Sequence, residues 1–155
     1  MPFKVRILIG GVFMKIKEFM TKNVATLNEN DTVEQAAHLM KEYNIGSIPV
    51  CKGEKVIGII TDRDIALRSV AEGGNYKSQN VRTIMTSNPV LGYPEMEAQD
   101  ATRVMSERQI RRLPIVDNNN LVGIISLGDI AVETKLRDNV ESTLESISEP
   151  CTPNI

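Results

Sequence analysis

The sequence predicts an α+β fold in which one small β-α-β-β-α unit is used twice. Three observations carry this expectation. Of 155 residues, 41% are apolar and 25% charged, the balance of a compact domain rather than of a fibrous or disordered chain. Met20-Thr21 lies over Met85-Thr86, and at that offset of 65 positions the two halves stay in register without a gap as far as Ala66 over Ala131. Within each half the apolar residues recur first at helical period and then in two short runs before a second helix.

The elements follow in order. In the first half, Thr32-Val33-Glu34-Gln35 has the spacing of a capping box, and Val33, Ala36, Ala37 and Met40 form a stripe, so a helix runs to about Tyr43 with His38 opposite the stripe and exposed. Ser47 to Cys51 and Val56 to Ile60, separated by a Lys-Gly-Glu turn, read as a hairpin. Pro49 cannot donate to a ladder and belongs at the start or edge of its strand. In the second half, Ala98, Ala101, Val104 and Met105 mark the helix. Leu113 to Val116 and Leu121 to Ile125 are the strands, and Asp117 to Asn120, tolerant of positive φ, is the turn. A glycine-rich polar stretch from Ala71 to Tyr76 separates the halves. Val140, Leu144 and Ile147 mark a C-terminal amphipathic helix that Pro150 and Pro153 end. The resulting division is an extension over 1–15, a first repeat over 16–72, a linker over 73–80, a second repeat over 81–136 and a helix with its tail over 137–155. A unit of this size has little core of its own, and pairing the two sheets buries the apolar strand faces that each leaves open.

Composition narrows the chemistry. With 20 acidic and 18 basic residues the net charge is −2, which argues against general nucleic-acid binding. The longest apolar run, Ile7 to Met14, is too short to span a membrane and has no cleavage pattern, so a cytoplasmic location is expected. Cys51 and Cys151 have no disulfide or metal spacing, and Cys51 reads as a buried thiol. One histidine, no nucleophile–base pair, no metal cluster and no P-loop leave no basis for an enzyme.

Both halves close alike, through Gly58-Ile59-Ile60-Thr61-Asp62-Arg63-Asp64 and Gly123-Ile124-Ile125-Ser126-Leu127-Gly128-Asp129. Two readings are open. A hydroxyl at N-cap and an acid at N3 cap the following helix. Alternatively, the free amides take an anion while the carboxylate accepts from a vicinal diol, the two features of a nucleotide. Intact Asp64 and Asp129 favour the second, because a hydroxyl alone makes a cap.

The Met-Thr start, the apolar-Pro-apolar strand and the Gly-x-x-Thr/Ser-x-x-Asp end, repeated in register over about Ile16 to Lys135, resemble a pair of cystathionine-β-synthase (CBS) domains, the Bateman module. The resemblance implies two β-α-β-β-α repeats packed sheet to sheet around a pseudo-two-fold axis. It implies adenine nucleotides or adenosyl ligands in two clefts, and sensing rather than catalysis. Carried onto this sequence, one cleft joins Thr61, Arg63 and Asp64 to Leu91, Arg111, Arg112 and Leu113; the other joins Ser126 and Asp129 to Thr26, Ser47 and Ile48. The aspartates would hold ribose hydroxyls, Thr61 and Ser126 would face ribose or phosphate, and Ile48 or Leu113 would flank adenine. Ile110-Arg111-Arg112-Leu113-Pro114 is similar to the His-Arg-Leu-Pro segment of AMP-activated kinase gamma subunits, with Arg111 in place of that histidine. Leu91 stands where the first repeat has Thr26, and Gly128 where it has Arg63, so the clefts are chemically unequal.

The expected function is a stand-alone regulatory module with AMP, ADP, ATP or S-adenosylmethionine as regulatory ligand and no obligatory cofactor or metal, signalling to an unknown protein. The competing reading is a ligand-free structural or oligomerisation module. A homodimer is expected from the family's usual assembly and from apolar helix residues Val33, Ala36, Met40, Ile65, Ala101, Met105 and Ile130, more than one module readily covers. Met14 to Met20 already looks like a complete family start, so translation is expected to begin at Met14.

Overall fold

A computed structural model describes residues 14–132 and 144–148. The expectations for residues 1–13 of the extension, for Val140 and for Pro150 and Pro153 fall outside these residues. The elements are β1 (Leu27–Asn28), α1 (Val33–Tyr43), β2 (Ser47–Lys52), β3 (Lys55–Thr61), α2 (Asp62–Ile65), β4 (Thr86–Ser87), α3 (Ala98–Arg108), β5 (Arg112–Asp117), β6 (Asn120–Ser126) and α4 (Leu127–Val132). Short 3-10 turns at Ile16–Glu18 and Val81–Thr83 open the two repeats, and α2 continues as a π-helical turn, Ala66–Val70. The mixed α+β character and the duplicated order are those read from the sequence. No helix among the described residues is long and apolar enough to cross a membrane.

The two compact units do not coincide with the two sequence repeats. One contains Thr21–Tyr93 and Pro114–Ile124; the other gathers the described residues up to Met20, Pro94–Leu113 and those from Ile125 on. Each is completed by the segment that opens the other repeat. Ile16 N–H donates to Met96 carbonyl (2.8 Å) and Ala98 N–H to Met14 carbonyl (2.8 Å), at the entry of α3. The matching residues repeat the pattern at α1: Val81 N–H to Asp31 carbonyl and Val33 N–H to Gln79 carbonyl, each 2.9 Å. Ile16 and Val81 are both fully buried.

In the unit containing Thr21, β1 runs parallel to β2, with Leu27 opposite Val50, and β2 and β3 form the expected hairpin, with Ser47 opposite Thr61 and Ile48 opposite Ile60. β3 also pairs with β4, and its first residue, Lys55, pairs with Asn120 of β6. Pro49 is the third residue of β2 rather than its first. It is tolerated there because β1 pairs only with Val50 and Cys51, so the ladder on that side starts after it. Gly58 lies beneath Met85, where a Cβ would overlap the methionine sulfur. Leu27, Val33, Ala36, Met40, Ile48, Val50, Ile60, Val81, Ile84 and Met85 form one core cluster.

The expected capping box forms: Gln35 N–H donates to Thr32 Oγ1 (3.2 Å) and Thr32 N–H to Gln35 Oε1 (2.7 Å). α1 then stops at Asn44, which turns left-handed (φ 53°), as Gln109 does after α3. Asn118 and Asn119 take positive φ in the β5–β6 turn, as their chemistry predicts. Cys51 is buried and His38 exposed, both as read from the sequence.

Two expectations are corrected. Ala37 is exposed, so the buried stripe of α1 is Val33, Ala36 and Met40 alone. The helix residues taken as an uncovered dimer face are instead internal: Val33, Ala36, Ala101, Met105 and Ile130 are at 0% exposure, Met40 is at 8%, and Ile65 packs against the core. A helix this short has one apolar stripe, and the core already uses it. In the C-terminal segment, Leu144 to Ser148 are helical, with Leu144 exposed; Ser146 Oγ donates to Ser106 carbonyl (3.3 Å).

Candidate ligand site

At the end of β3 the backbone leaves the strand with Thr61 extended (φ −115°, ψ 161°) and enters α2 at once. Thr61 Oγ1 accepts from Asp64 N–H (3.0 Å), and Asp64 Oδ2 accepts from Thr61 N–H (2.9 Å). Asp62 N–H donates to Gly46 carbonyl (3.0 Å), tying the start of the helix to the residue before β2. Directly opposite residues of an antiparallel pair point to the same face, so Ser47 and Thr61 share one. The Ser47 hydroxyl is buried there, at 8% exposure, without a hydrogen-bond partner. Leaving such a group unmet costs about 1–3 kcal/mol, so it calls for an occupant or a reason.

The second repeat builds the same end. Asp129 N–H donates to Ser126 Oγ (3.0 Å), Ser126 N–H to Asp129 Oδ2 (2.9 Å), and Leu127 N–H to Arg111 carbonyl (2.8 Å), where Asp62 uses Gly46. Arg111 is exposed and Arg112 half-buried at the start of β5, and among the described residues neither has a carboxylate partner. Arg63 on α2 is likewise exposed and unpaired among them.

Both acids are therefore working parts of their caps, each accepting the N–H of the capping residue. The expectation that a cap has no use for the acid is corrected: an acid at N3 closes the box from the other side. The two acids differ in their second oxygen. Asp64 Oδ1 faces Arg68 Nε at 3.8 Å, whereas among the described residues the second oxygen of Asp129 has no partner. Arg68 escaped the sequence reading, although its i+4 spacing from Asp64 on one helix was the signal that would have found it.

The other expected residues are placed as follows. Ile48 and Leu113 are fully buried, Ile48 within the core cluster, which leaves their backbones rather than their side chains for an external group. Leu91 is 38% exposed, one residue before Gly92 bridges to Ile115. Thr26 lines a cavity of about 420 Å3 with Lys22, Cys51, Glu54, Asn120 and Val122. This lies at the turn end of the β2–β3 hairpin, about a strand's length from Thr61. Burial pushes the Cys51 thiol above its ordinary pKa, which makes it a poor nucleophile at neutral pH. Thr26, Ser47, Ile48, Thr61, Arg63, Asp64 and Leu91 belong to one compact unit, and Arg111, Arg112, Leu113, Ser126 and Asp129 to the other.

The CBS domain pattern matches residues 16–70 and again 81–134, the same two stretches that the internal repeat defines. The chain belongs to the CBS domain family. It is a tandem CBS pair, as its repeated motifs suggested. The CBS domain-containing protein YhcV of Bacillus subtilis (strain 168) is 47% identical over 133 residues, covering 86% of this chain and 94% of that one. The inosine-5′-monophosphate dehydrogenase of Methanocaldococcus jannaschii is 37% identical over 123 residues; these are 78% of this chain and 24% of the enzyme. Among solved structures, the CBS domain pair of protein MJ0100 in complex with 5′-methylthioadenosine and S-adenosyl-L-methionine has a TM-score of 0.71 at 26% identity, over 79% of this chain and 97% of that one.

Proposed function

We propose that this CBS pair is a regulatory module that binds an adenine nucleotide or adenosyl ligand at its two Thr/Ser-x-x-Asp ends and signals to a partner protein by changing conformation. The observation that carries the reading is the buried Ser47 hydroxyl, without a hydrogen-bond partner among the described residues: expected with Ser126 and Asp129, it lies instead on the face it shares with Thr61, whose capping partner Asp64 has acceptor capacity to spare. In the proposal Asp64 and Asp129 accept ribose hydroxyls, and Arg63, Arg111 and Arg112, which have no carboxylate partner among the described residues, are the cations for phosphate. The MJ0100 pair, bound to two adenosyl compounds, supports this ligand class. Any ligand that prefers one arrangement of the module over another shifts that equilibrium, and a partner can read the shift. The module is proposed to act as a homodimer in the cytoplasm.

The competing reading, a ligand-free structural module, draws on the reciprocal caps, which account for Thr61, Asp64, Ser126 and Asp129 without any ligand. It leaves the Ser47 hydroxyl unexplained. Calorimetric titration of ATP, AMP and S-adenosylmethionine into the wild type, Asp64→Ala and Asp129→Ala separates the two. At least one ligand is expected to bind the wild type, with the two variants weakening different binding events. Absence of binding by all three at millimolar concentration establishes the capping-only reading.

A further inference from the structure

Resting on the reading of the Thr61–Asp64 end as a site for a ribosyl ligand, we propose that Arg68 is its positioning residue and links its occupancy to the turn that leads into β4. Arg68 lies in the π-helical stretch Ala66–Val70, one turn beyond Asp64. Its Nε is 3.8 Å from Asp64 Oδ1, and its Nη1 donates to Ile84 carbonyl at 3.1 Å. Ile84 and Met85 close the Val81–Thr83 turn, their N–H groups donating to Val81 carbonyl at 3.1 and 2.9 Å. One guanidinium thus touches both the carboxylate and the segment that carries Thr86 into β4.

The geometry suits a carboxylate that must be aimed and still accept. Thr61 N–H holds Oδ2 at 2.9 Å, which fixes one end of the carboxylate. At 3.8 Å Arg68 is an ion-pair neighbour of Oδ1, beyond hydrogen-bond range, so it orients this oxygen without using its lone pairs. The unpartnered Ser47 hydroxyl on the face of Thr61 is the independent sign that the end lacks a polar partner. A vicinal diol donating to Oδ1 meets an acceptor already turned toward it. By sequence the matching position in the second repeat is Glu133, an acid, so this device belongs to the Asp64 end. Coupling is reciprocal: if Arg68 aims the carboxylate for the ligand, the ligand in turn steadies Arg68 and, through Ile84 carbonyl, the 81–85 turn.

The test uses the full chain carrying Asp129→Ala to silence the second end. ATP and 2′-deoxy-ATP are titrated into this background and into its Arg68→Ala and Arg68→Lys derivatives, with amide hydrogen exchange followed at 81–85. With Arg68 present, ATP is expected to bind better than its deoxy analogue and to slow exchange at 81–85. Arg68→Ala is expected to weaken ATP about tenfold, to narrow the ribose preference and to abolish the added protection. Arg68→Lys keeps the charge on a single head and is expected to recover part of the affinity without the protection. An Arg68→Ala protein that keeps the ribose preference and the protection overturns the proposal while leaving the ligand site standing. The same holds for the lysine variant should the alanine variant not fold. AMP and S-adenosylmethionine are titrated into the same background, and failure of the Arg68 protein to bind any of the three overturns the ligand site itself, and the proposal with it.

Discussion

The Asp64 and Asp129 ends are one backbone with two surfaces. Both acids close a reciprocal cap at the same distances, 3.0 and 2.9 Å, and in both the first helical N–H reaches the residue three before the strand proline, Gly46 or Arg111. Everything that points away from this frame differs. In the sequence alignment of the repeats Arg63 corresponds to Gly128 and Ser47 to Arg112, and Arg68 accompanies Asp64 where Asp129 is followed by Glu133. Helix starts must satisfy their free amides, so the capping residues are held in both copies, while side chains that do not serve the backbone can take up separate ligand preferences.

The largest effect expected from breaking this parallel concerns the exchanged segments rather than the caps. Ile16 opens the first repeat but is buried in the unit that contains α3, and Val81 opens the second but is buried in the core cluster of α1. Ile16→Ala is expected to cost about 2–5 kcal/mol in urea unfolding and to speed amide exchange in α3 while sparing α1. Val81→Ala, which removes fewer carbons, is expected to cost less and to speed exchange in α1. Loosening of α1 by Ile16→Ala alone would show that the exchange of segments is not what organises the two units.

Removing the acids sharpens the comparison at smaller scale. Asp64→Ala and Asp129→Ala each delete the carboxylate half of a cap and are each expected to lower stability by about 1 kcal/mol, read by thermal unfolding without ligand. Near-equal losses are the mark of a shared scaffold. Their effects on ligand are expected to diverge: Asp64→Ala removes most ATP binding and Asp129→Ala most binding of a monophosphate or uncharged-tailed ligand, because Arg63 and Arg68 accompany only Asp64. ATP binding abolished by Asp129→Ala instead would reverse the assignment.

How much of this was legible in the sequence depends on whether a residue answers to its neighbours in the chain or to distant ones. The capping boxes at Thr32, Thr61 and Ser126, the hairpins and the left-handed Asn118 and Asn119 are local, and spacing alone reveals them. The exposure of Ala37 and the fate of the apolar helix residues were not, because a stripe tells which face is buried but not how much of the protein is there to bury it. The docking of Ile16 at Met96 joins residues 80 apart, and no pattern within a repeat encodes that choice. The resemblance grouped Ser47 with Ser126 and Asp129; that it lies opposite Thr61 with an unmet hydroxyl depends on the ladder register, which no motif states.

The smallest expected effect lies in a charge cluster that one repeat has and the other lacks. Glu95, just before α3, accepts from Lys15 and Lys17 through its two oxygens, each at 2.6 Å. The matching positions in the other repeat are Asn30, Asn80 and Arg82, and Arg82 pairs instead with Glu29 at 3.0 Å. The hydrogen bond from Lys15, then that from Lys17, pull the Glu95 pKa from 4.5 down to about 2. A carboxylate with a lowered folded-state pKa stabilises the fold above its unfolded value and loses that contribution as pH falls through the folded one. The relevant window is therefore about pH 4.5 down to about 2. All three side chains are about half exposed, so the contribution is modest and screened by salt. Glu95→Gln is expected to flatten the acid side of the stability–pH curve in that window and to remove its salt dependence there, while Glu29→Gln leaves the α3 side unchanged. Acid unfolding monitored by amide exchange in α3, at low and high salt, reads this directly. An unchanged slope in Glu95→Gln would mean that the two lysines do not hold the opening segment of the first repeat against the start of α3, and that the buried Ile16 does so alone.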